Sequence, residues 1–416
     1  MSSDYTSSEY SSSVDNYSDD NKDNFDLQGE ILNKYNIICE IGRGAFSIVW
    51  LGYNISDNKY YAIKVQNYND YEDGMDEIDA LKRIKHNTGY LNTMIEYFIE
   101  KRKVDGEYVR SICSVYELCC GNIDKIARKG KYPNGYPEEV VNVIFKQLVI
   151  AINDLHNKNK MFHGDIKPDN ILLVGLNNYD KKIIEMYEQS NFIDTYTKIK
   201  QMYWVEKGKD LKNISKMKSD IKLKIRAEVH KKIVDKIFEN EITENKYEFD
   251  DKYLDPEHLK IKLTDFGSYC PDGDFFEESF GTVYYQAPEI ILMDRCKRPV
   301  DIWALGCTLY ELLCGKVLFD PYGDDSDEEG CEHLKMIMDL CGKIKKETFK
   351  RSEFYKKFFK NMNLSSYNRS NINSLKENLN EKLENIHNKD YYVSLLTKML
   401  CILPQKRVKI EQLIKS

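Results

Sequence analysis

The sequence predicts an α+β fold with a small strand-rich N-terminal part and a larger helical C-terminal part. Three observations carry this. Residues 35–66 alternate apolar and polar positions around a turn containing Gly42 and Gly44, the pattern of half-buried strands. Val140 to Leu155 and Ile221 to Phe238 instead repeat their apolar positions at helical spacing. The chain has 416 residues, enough for two sizeable cores.

Bulk composition narrows the classes of function. Hydrophobic residues make up 42% of the chain, as in a folded globular protein. The eleven cysteines are scattered, mostly inside apolar runs such as Ile302 to Cys307, which reads as buried thiols in a reducing compartment and not as a disulfide framework. No run of about 18 apolar residues occurs and the first residues are polar and acidic. Neither a membrane span nor a signal peptide is therefore expected, and the expected location is the cytoplasm, with the nucleus also open. The net charge of −7 is unevenly spread. Residues 1–27 hold seven Asp/Glu against one Lys, with eight Ser, so a disordered acidic Ser/Tyr-rich tail is expected over 1–30, either regulatory or solubilising. Lys198 to Lys236 holds thirteen Lys/Arg against five Asp/Glu.

Six short motifs follow one another: Ile41-Gly42-Arg43-Gly44-Ala45-Phe46-Ser47-Ile48-Val49, Ala62-Ile63-Lys64, His163-Gly164-Asp165-Ile166-Lys167-Pro168-Asp169-Asn170, Asp265-Phe266-Gly267, Ala287-Pro288-Glu289 and Asp301-Ile302-Trp303. In the third, an Asp, a Lys two residues on and an Asn five residues on are the groups phosphoryl transfer uses. The carboxylate can orient a hydroxyl and accept its proton, the ammonium can neutralise the moving phosphoryl group, and the amide can hold magnesium. In this order and spacing the six resemble a eukaryotic-type protein kinase over about residues 35–416. The resemblance implies a bilobal kinase fold, an N-lobe over 35–118 and a C-lobe over 119–416, with ATP and Mg2+ bound between them.

Along the chain, Tyr35 to Ile41 and Ser47 to Tyr53 read as strands flanking Gly42-Arg43-Gly44, the hairpin the resemblance lays over ATP phosphates, where a missing Cβ lets backbone approach. Ser47 stands where most kinases have a third glycine. Ile41, Gly42, Gly44 and Val49 thus join the nucleotide site, with Val49 and Ala62 covering the adenine and Leu172 closing it from below. Lys64 lies in the strand Tyr60 to Val65, where an unpaired ammonium is costly. The resemblance gives it the α/β-phosphates and a carboxylate from the next helix, Met75 to Ile84. Glu77 is the preferred partner, with Glu72 and Asp76 as alternatives. Ser114 to Cys119 reads as the hinge, with Tyr116 behind the adenine and the main chain of Glu117 to Cys119 along its edge. Helix Val140 to Leu155 delivers His163 and Asp165 to the lobe interface. Asp165 is then the catalytic carboxylate, Lys167 its charge-neutralising partner and a sign of serine/threonine acceptors, and Asn170 and Asp265 are the magnesium ligands. Phe266 is expected beneath the Glu77 helix. Asp301, Trp303 and Gly306 resemble the buried helix that anchors the catalytic loop, and Arg407 the partner of Glu289.

Gly164 departs from the kinase pattern. Most kinases place there an Arg that clamps an activation-loop phosphate, so this chain is expected to work with an ordered, unphosphorylated loop. That glycine, the run Gly44 to Trp50, an insertion directly after Asn170-Ile171-Leu172-Leu173, and Gly323 to Glu329 followed by His333 to Lys343 are together most similar to the SR-protein kinases. The family phosphorylates serines in arginine/serine-rich factors, which implies a basic, Ser-containing protein substrate. Asp272, Asp274, Glu277 and Glu278, with six acidic residues between Asp320 and Glu329, point the same way. Phe266 and Ala287-Pro288-Glu289 depart from that family's usual residues. The insertion, 174–258, exceeds an ordinary turn. A solvated helical spacer, docking, localisation and nucleic-acid contact through 198–236 are its readings. Rival functions are a nucleotide-binding pseudokinase scaffold, against which Lys64, Asp165, Asn170 and Asp265 weigh, and a nucleic-acid-associated factor acting through the insertion.

Overall fold

The computed structural model describes residues 25–239, 241–274, 279–345, 348–349, 352, 354–368 and 373–414. In the N-lobe, β1 (Ile31–Leu32), β2 (Tyr35–Arg43), β3 (Ser47–Asn54), β4 (Lys59–Gln66), β5 (Glu96–Val104) and β6 (Glu107–Tyr116) form an antiparallel sheet in the order β1-β2-β3-β4-β6-β5. Helix α1 (Tyr71–Arg83) lies between β4 and β5 in sequence. Strand alternation sorts the side chains. Ile48, Trp50, Ile63 and Val65 join Leu27, Leu32, Cys113 and Val115 in one core. Val49, Leu51 and Tyr53, registered against Lys64, Ala62 and Tyr60, take the opposite face.

Two expected boundaries move. The tail is shorter than 1–30, because Leu27 is buried, the Gly29 N–H donates to the Ile37 carbonyl at 2.9 Å and Glu30 pairs with Arg102 at 2.6 Å. Phe25 and Leu27 supply apolar surface that the acidic composition around them masks. Residues 1–24 lie outside the described residues. Helix α1 begins four residues before the expected Met75, its first turn carrying Glu72 and Asp73, which complement the helix dipole.

The C-lobe begins with β7 (Cys119–Asn122), α2 (Ile123–Arg128) and α3 (Glu138–Asn153), the last continuing as a π-helical turn, Asp154–Asn159, that ends at left-handed Lys160. Strands β8 (Met161–Phe162) and β9 (Ile171–Val174) bracket the catalytic-type loop. After the insertion come β10 (Ile261–Leu263), paired to β9, and β11 (Cys270–Pro271), paired to β8. Helices numbered α7 (Pro288–Ile291), α8 (Pro299–Cys314), α9 (Ser326–Cys341), α10 (Leu375–Lys382), α11 (Lys389–Met399) and α12 (Ile410–Leu413) complete the lobe. Almost all of α8 is buried, as its apolar character all round requires. Arg407 meets Glu289 in a bidentate buried pair at 2.5 and 2.7 Å, with its guanidinium 5.0 Å from the Trp303 ring. All eleven cysteines are free thiols, and no helix among the described residues is long and apolar enough to cross a membrane.

The insertion connects β9 to β10 and is not a solvated spacer. Its helices α4 (Asn178–Gln189), α5 (Phe192–Glu206) and α6 (Ser219–Phe238) share a core with the N-lobe. Ile183, Tyr187, Phe192, Trp204, Ile225, Val229 and Val234 pack with Ile38, Cys39, Leu51 and Tyr53. The insertion thus covers the continuation of the sheet face that carries Val49 and Ala62. A buried relay fastens it. Arg226 Nε donates to Asn36 Oδ1 at 2.7 Å, and Asn36 Nδ2 donates to the Tyr187 hydroxyl at 2.8 Å. That hydroxyl lies 3.1 Å from His230 Nδ1, and His230 Nε2 lies 2.8 Å from the Ile37 carbonyl. A carbonyl can only accept, so Nε2 carries the proton and Tyr187 donates to Nδ1. Burial pushes His230 down to about 4, holding it neutral.

Candidate active site

The site lies where β3, β4 and α1 of the N-lobe face the loop between β8 and β9. Strand β4 carries Lys64, and its Nζ meets Glu77 Oε2 at 2.6 Å, from the buried face of α1. The alternatives Glu72 and Asp76 are exposed. Burial works against the Lys64 ammonium, but Glu77 and then Asp265 outweigh it and hold the group charged well above its ordinary range. Val49 is registered directly opposite Lys64, and Ala62 opposite Tyr116. Leu172 is registered against Asn122 of β7 and Lys262 of β10, which sets it just beyond the hinge. Glu117 in that hinge is exposed and ion-paired to Lys262, while Cys119 opens β7. Ile41, Gly42 and Gly44 lead into the hairpin turn, which closes with the Gly44 N–H on the Ser47 carbonyl at 2.9 Å.

The loop owes its shape to Asp301 at the start of α8. Its carboxylate accepts the backbone N–H groups of His163 at 2.8 Å and Gly164 at 2.9 Å, and His156 Nε2 lies 2.8 Å away. Its burial raises and its partners, led by His156, lower the pKa, with a net fall below the usual carboxylate range. His163 Nε2 in turn reaches the Thr264 carbonyl at 3.0 Å, and its ring packs tilted against Phe266 with centroids 5.2 Å apart, so the loop and the Asp265-Phe266-Gly267 turn are held together. Phe266 is buried in the same core as Ala80 and Leu81 of α1.

Asp165 is set between three groups. Lys167 Nζ lies 2.8 Å from its Oδ2, the Thr282 N–H donates to its Oδ1 at 2.8 Å, and Asn170 Nδ2 donates to its carbonyl at 2.8 Å and to Oδ2 at 3.1 Å. Burial would raise its pKa, but Lys167 and Thr282 bring it below the usual carboxylate range, so it is an ionised acceptor at neutral pH. Lys167 also donates to the Thr282 hydroxyl at 2.5 Å. Asp265 holds a left-handed backbone, φ +65°. Among the described residues its carboxylate has no hydrogen-bond or ion-pair partner, and it acts on Lys64 through space. Asn170 spends its N–H donors on Asp165, leaving its amide oxygen uncommitted. The Asp265 carboxylate and the Asn170 amide oxygen, both hard ligands, are therefore available to a divalent cation.

Gly164 is required where it stands. Its φ is +85°, and a Cβ there would lie 2.2 Å from the Ser268 carbonyl oxygen, while one on Gly281 would lie 2.6 Å from the Gly164 carbonyl oxygen. Both ends of the activation segment thus pack against the position where other kinases carry Arg. Arg298 pairs with Asp272, β11 pairs with β8, and the Gln286 amide donates to Ser279 Oγ at 3.1 Å and the Phe280 carbonyl at 3.0 Å. Glu277 and Glu278 lie outside the described residues.

The protein kinase domain family model matches this chain over residues 35–186 and 253–416. The chain belongs to the protein kinase family. The gap in that match falls inside the α4–α6 insertion. Among curated proteins the kinase is 27% identical to the serine/threonine-protein kinase L205 of Acanthamoeba polyphaga mimivirus, over 92% of this chain and 86% of the relative. It is 25% identical to the serine/threonine-protein kinase SRPK of Physarum polycephalum, over 80% of this chain and 72% of the relative. Protein kinase dsk1 of Schizosaccharomyces pombe is 22% identical, over 90% and 78%. This kinase is a serine/threonine protein kinase similar to the SR-protein kinases, acting on protein, and its family generally uses ATP and Mg2+.

Two sets of residues escape sequence reading. Thr282 touches both Asp165 and Lys167, and its only sequence signal is a hydroxyl following Gly281 shortly before Ala287-Pro288-Glu289. A second acidic group surrounds Arg128, which reaches Asp124 and Glu311. Beside it Asp169 is pushed up to about 6 by burial and then by the charge of Asp124.

Proposed function

We propose that this kinase transfers the γ-phosphoryl group of ATP to serines in basic, arginine-bearing protein segments, without phosphorylation of its own activation segment. The observation that carries the reading is the Asp165 carboxylate, ionised and fixed between Lys167 and the Thr282 N–H. So held, it can orient an incoming hydroxyl and take its proton, while Lys167 offsets charge on the moving group. Lys64, kept charged by Glu77, is the cation for the α/β-phosphates. The hinge main chain from Glu117 to Cys119 takes the adenine edge, with Val49 and Ala62 above and Leu172 below. The uncommitted oxygens of Asp265 and Asn170 suit magnesium, which when bound neutralises phosphate charge.

Phosphate-independence is supported by Gly164, whose place is filled by packing against Ser268 and Gly281. The basic preference is supported by negative charge on the substrate side and by the SR-type name of a relative. That charge is partly committed: Asp272 pairs with Arg298, Asp327 pairs with Lys357, and Asp325 caps α9 by accepting the N–H groups of Asp327 and Glu328. Asp320, Asp324 and Glu329 remain for steering. Phosphorylation of a degenerate peptide library by the purified kinase tests this. Selection of Arg or Lys around serine is expected. Equal use of acidic and basic peptides would remove the substrate assignment and leave the kinase chemistry standing.

A further inference from the structure

On the back of the N-lobe, where the β3–β4 hairpin meets the turn between α4 and α5, lies a cavity of about 270 Å³. It is smaller than the usual drug-sized pocket and suits one side chain. Its floor is aromatic: Tyr53 and Tyr60 have centroids 5.1 Å apart, and Tyr187 lies 5.4 Å from Tyr53. Its rim is acidic and amide-bearing, with Glu188, Asp194, Asn58 and Asn191. No Lys or Arg lines it, and among the described residues neither Glu188 nor Asp194 joins an ion pair. Burial first and the Glu188 charge next push the Tyr60 phenol up, so that carboxylate's field reaches the floor.

We infer that this cleft docks an arginine side chain of a protein partner, the guanidinium lying over the Tyr60 ring and donating to Glu188 and Asp194. Aromatic faces and unpaired carboxylates together select a cation. Acceptors spread around the rim match the flat, five-donor guanidinium better than a compact ammonium, and a trimethylated ammonium would leave them unused. Tyr53 and Tyr60 lie four strand residues from Val49 and Lys64, about 13 Å, so the cleft is separate from the reacting centre. It deepens the proposed preference for basic segments, on which its biological sense rests, by adding a second anchoring point beyond the active cleft.

The test is fluorescence anisotropy of the full chain with a labelled arginine/alanine peptide, which has no hydroxyl to phosphorylate, and with its lysine/alanine counterpart. The wild type should bind the arginine peptide more tightly than the lysine peptide. Glu188→Gln with Asp194→Asn, both exposed positions, should weaken the arginine peptide by about fivefold or more, and Tyr60→Leu should do likewise with an unchanged melting temperature. Unchanged affinity in the carboxylate variant, or equal binding of the lysine peptide, overturns the inference. Failure of the substrate reading would appear elsewhere, as equal kcat/KM for arginine/serine and neutral serine peptides.

Discussion

Substituting Asp165 by Asn keeps the side chain's shape and its place beside Lys167 while removing the ionised acceptor. Turnover should fall by about a hundredfold or more with ATP affinity little changed. Near-normal turnover would refute the role assigned to this carboxylate. Asp265→Ala removes an unpaired carboxylate whose charge acts on Lys64, so nucleotide binding should lose most of its magnesium dependence, measured by titration with and without the ion. Gly164→Ala puts a Cβ 2.2 Å from a backbone oxygen in a left-handed conformation. The conformation alone costs an L-residue about 1–2 kcal/mol, and the clash adds to it, so a lowered melting temperature and loss of activity are expected. Lys64, Asp165, Lys167, Asn170 and Asp265 were legible because chemistry holds them at short, fixed offsets within motifs. Glu77 was preferred but Glu72 and Asp76 stayed open, since any helix face there offers carboxylates; the pairing depends on which face α1 buries. Thr282 was not legible, because it reaches Asp165 across 117 positions with no fixed spacing.

Helix α6 shows what periodicity reveals and what it omits. Its apolar repeat announces a helix, but its partner is a strand face nearly two hundred positions earlier, with Arg226 on Asn36 and His230 on Ile37. The thirteen basic residues between Lys198 and Lys236 suggest solvent, whereas only one side of the helix meets it. Deleting that stretch would strip Trp204, Ile225 and Val229 from the N-lobe and expose Ile38 and Leu51, so destabilisation is expected beside any effect on partners. Tyr187→Phe breaks the relay at its centre and leaves buried groups unsatisfied, a loss of about 1–3 kcal/mol by denaturant titration. The relay is also acid-sensitive. The folded pKa of His230, about 4, lies below its ordinary 6.5, so its contribution is complete above pH 6.5 and is lost as pH falls towards 4. Hydrogen exchange should show β2 and α6 losing protection across that window, while His230→Gln should remove the dependence.

At the scale of the whole molecule, one helix anchor and one glycine organise the cleft. Asp301 holds the backbone of His163 and Gly164 from α8, and the activation segment closes over Gly164 by packing, an ion pair and a glutamine amide. The two-lobe plan was legible from the order of six motifs, each a local device. The docking of the insertion onto the N-lobe was not, since it depends on which sheet face is left uncovered. If the proposed basic-substrate preference works through charge, raising salt should lower kcat/KM for an arginine/serine peptide more than for a neutral one, as screening shortens the field to about 10 Å at 0.1 M. The central claim is an assembled, phosphate-independent catalytic loop built on Asp165. It is tested most directly by phosphate transfer from labelled ATP to a serine peptide, using phosphatase-treated kinase whose mass shows no phosphate, with Asp165→Asn alongside. The treated wild type should retain most of its turnover and the variant almost none, whereas a large loss on dephosphorylation, restored by phosphate on Thr282 or Ser279, would contradict the account.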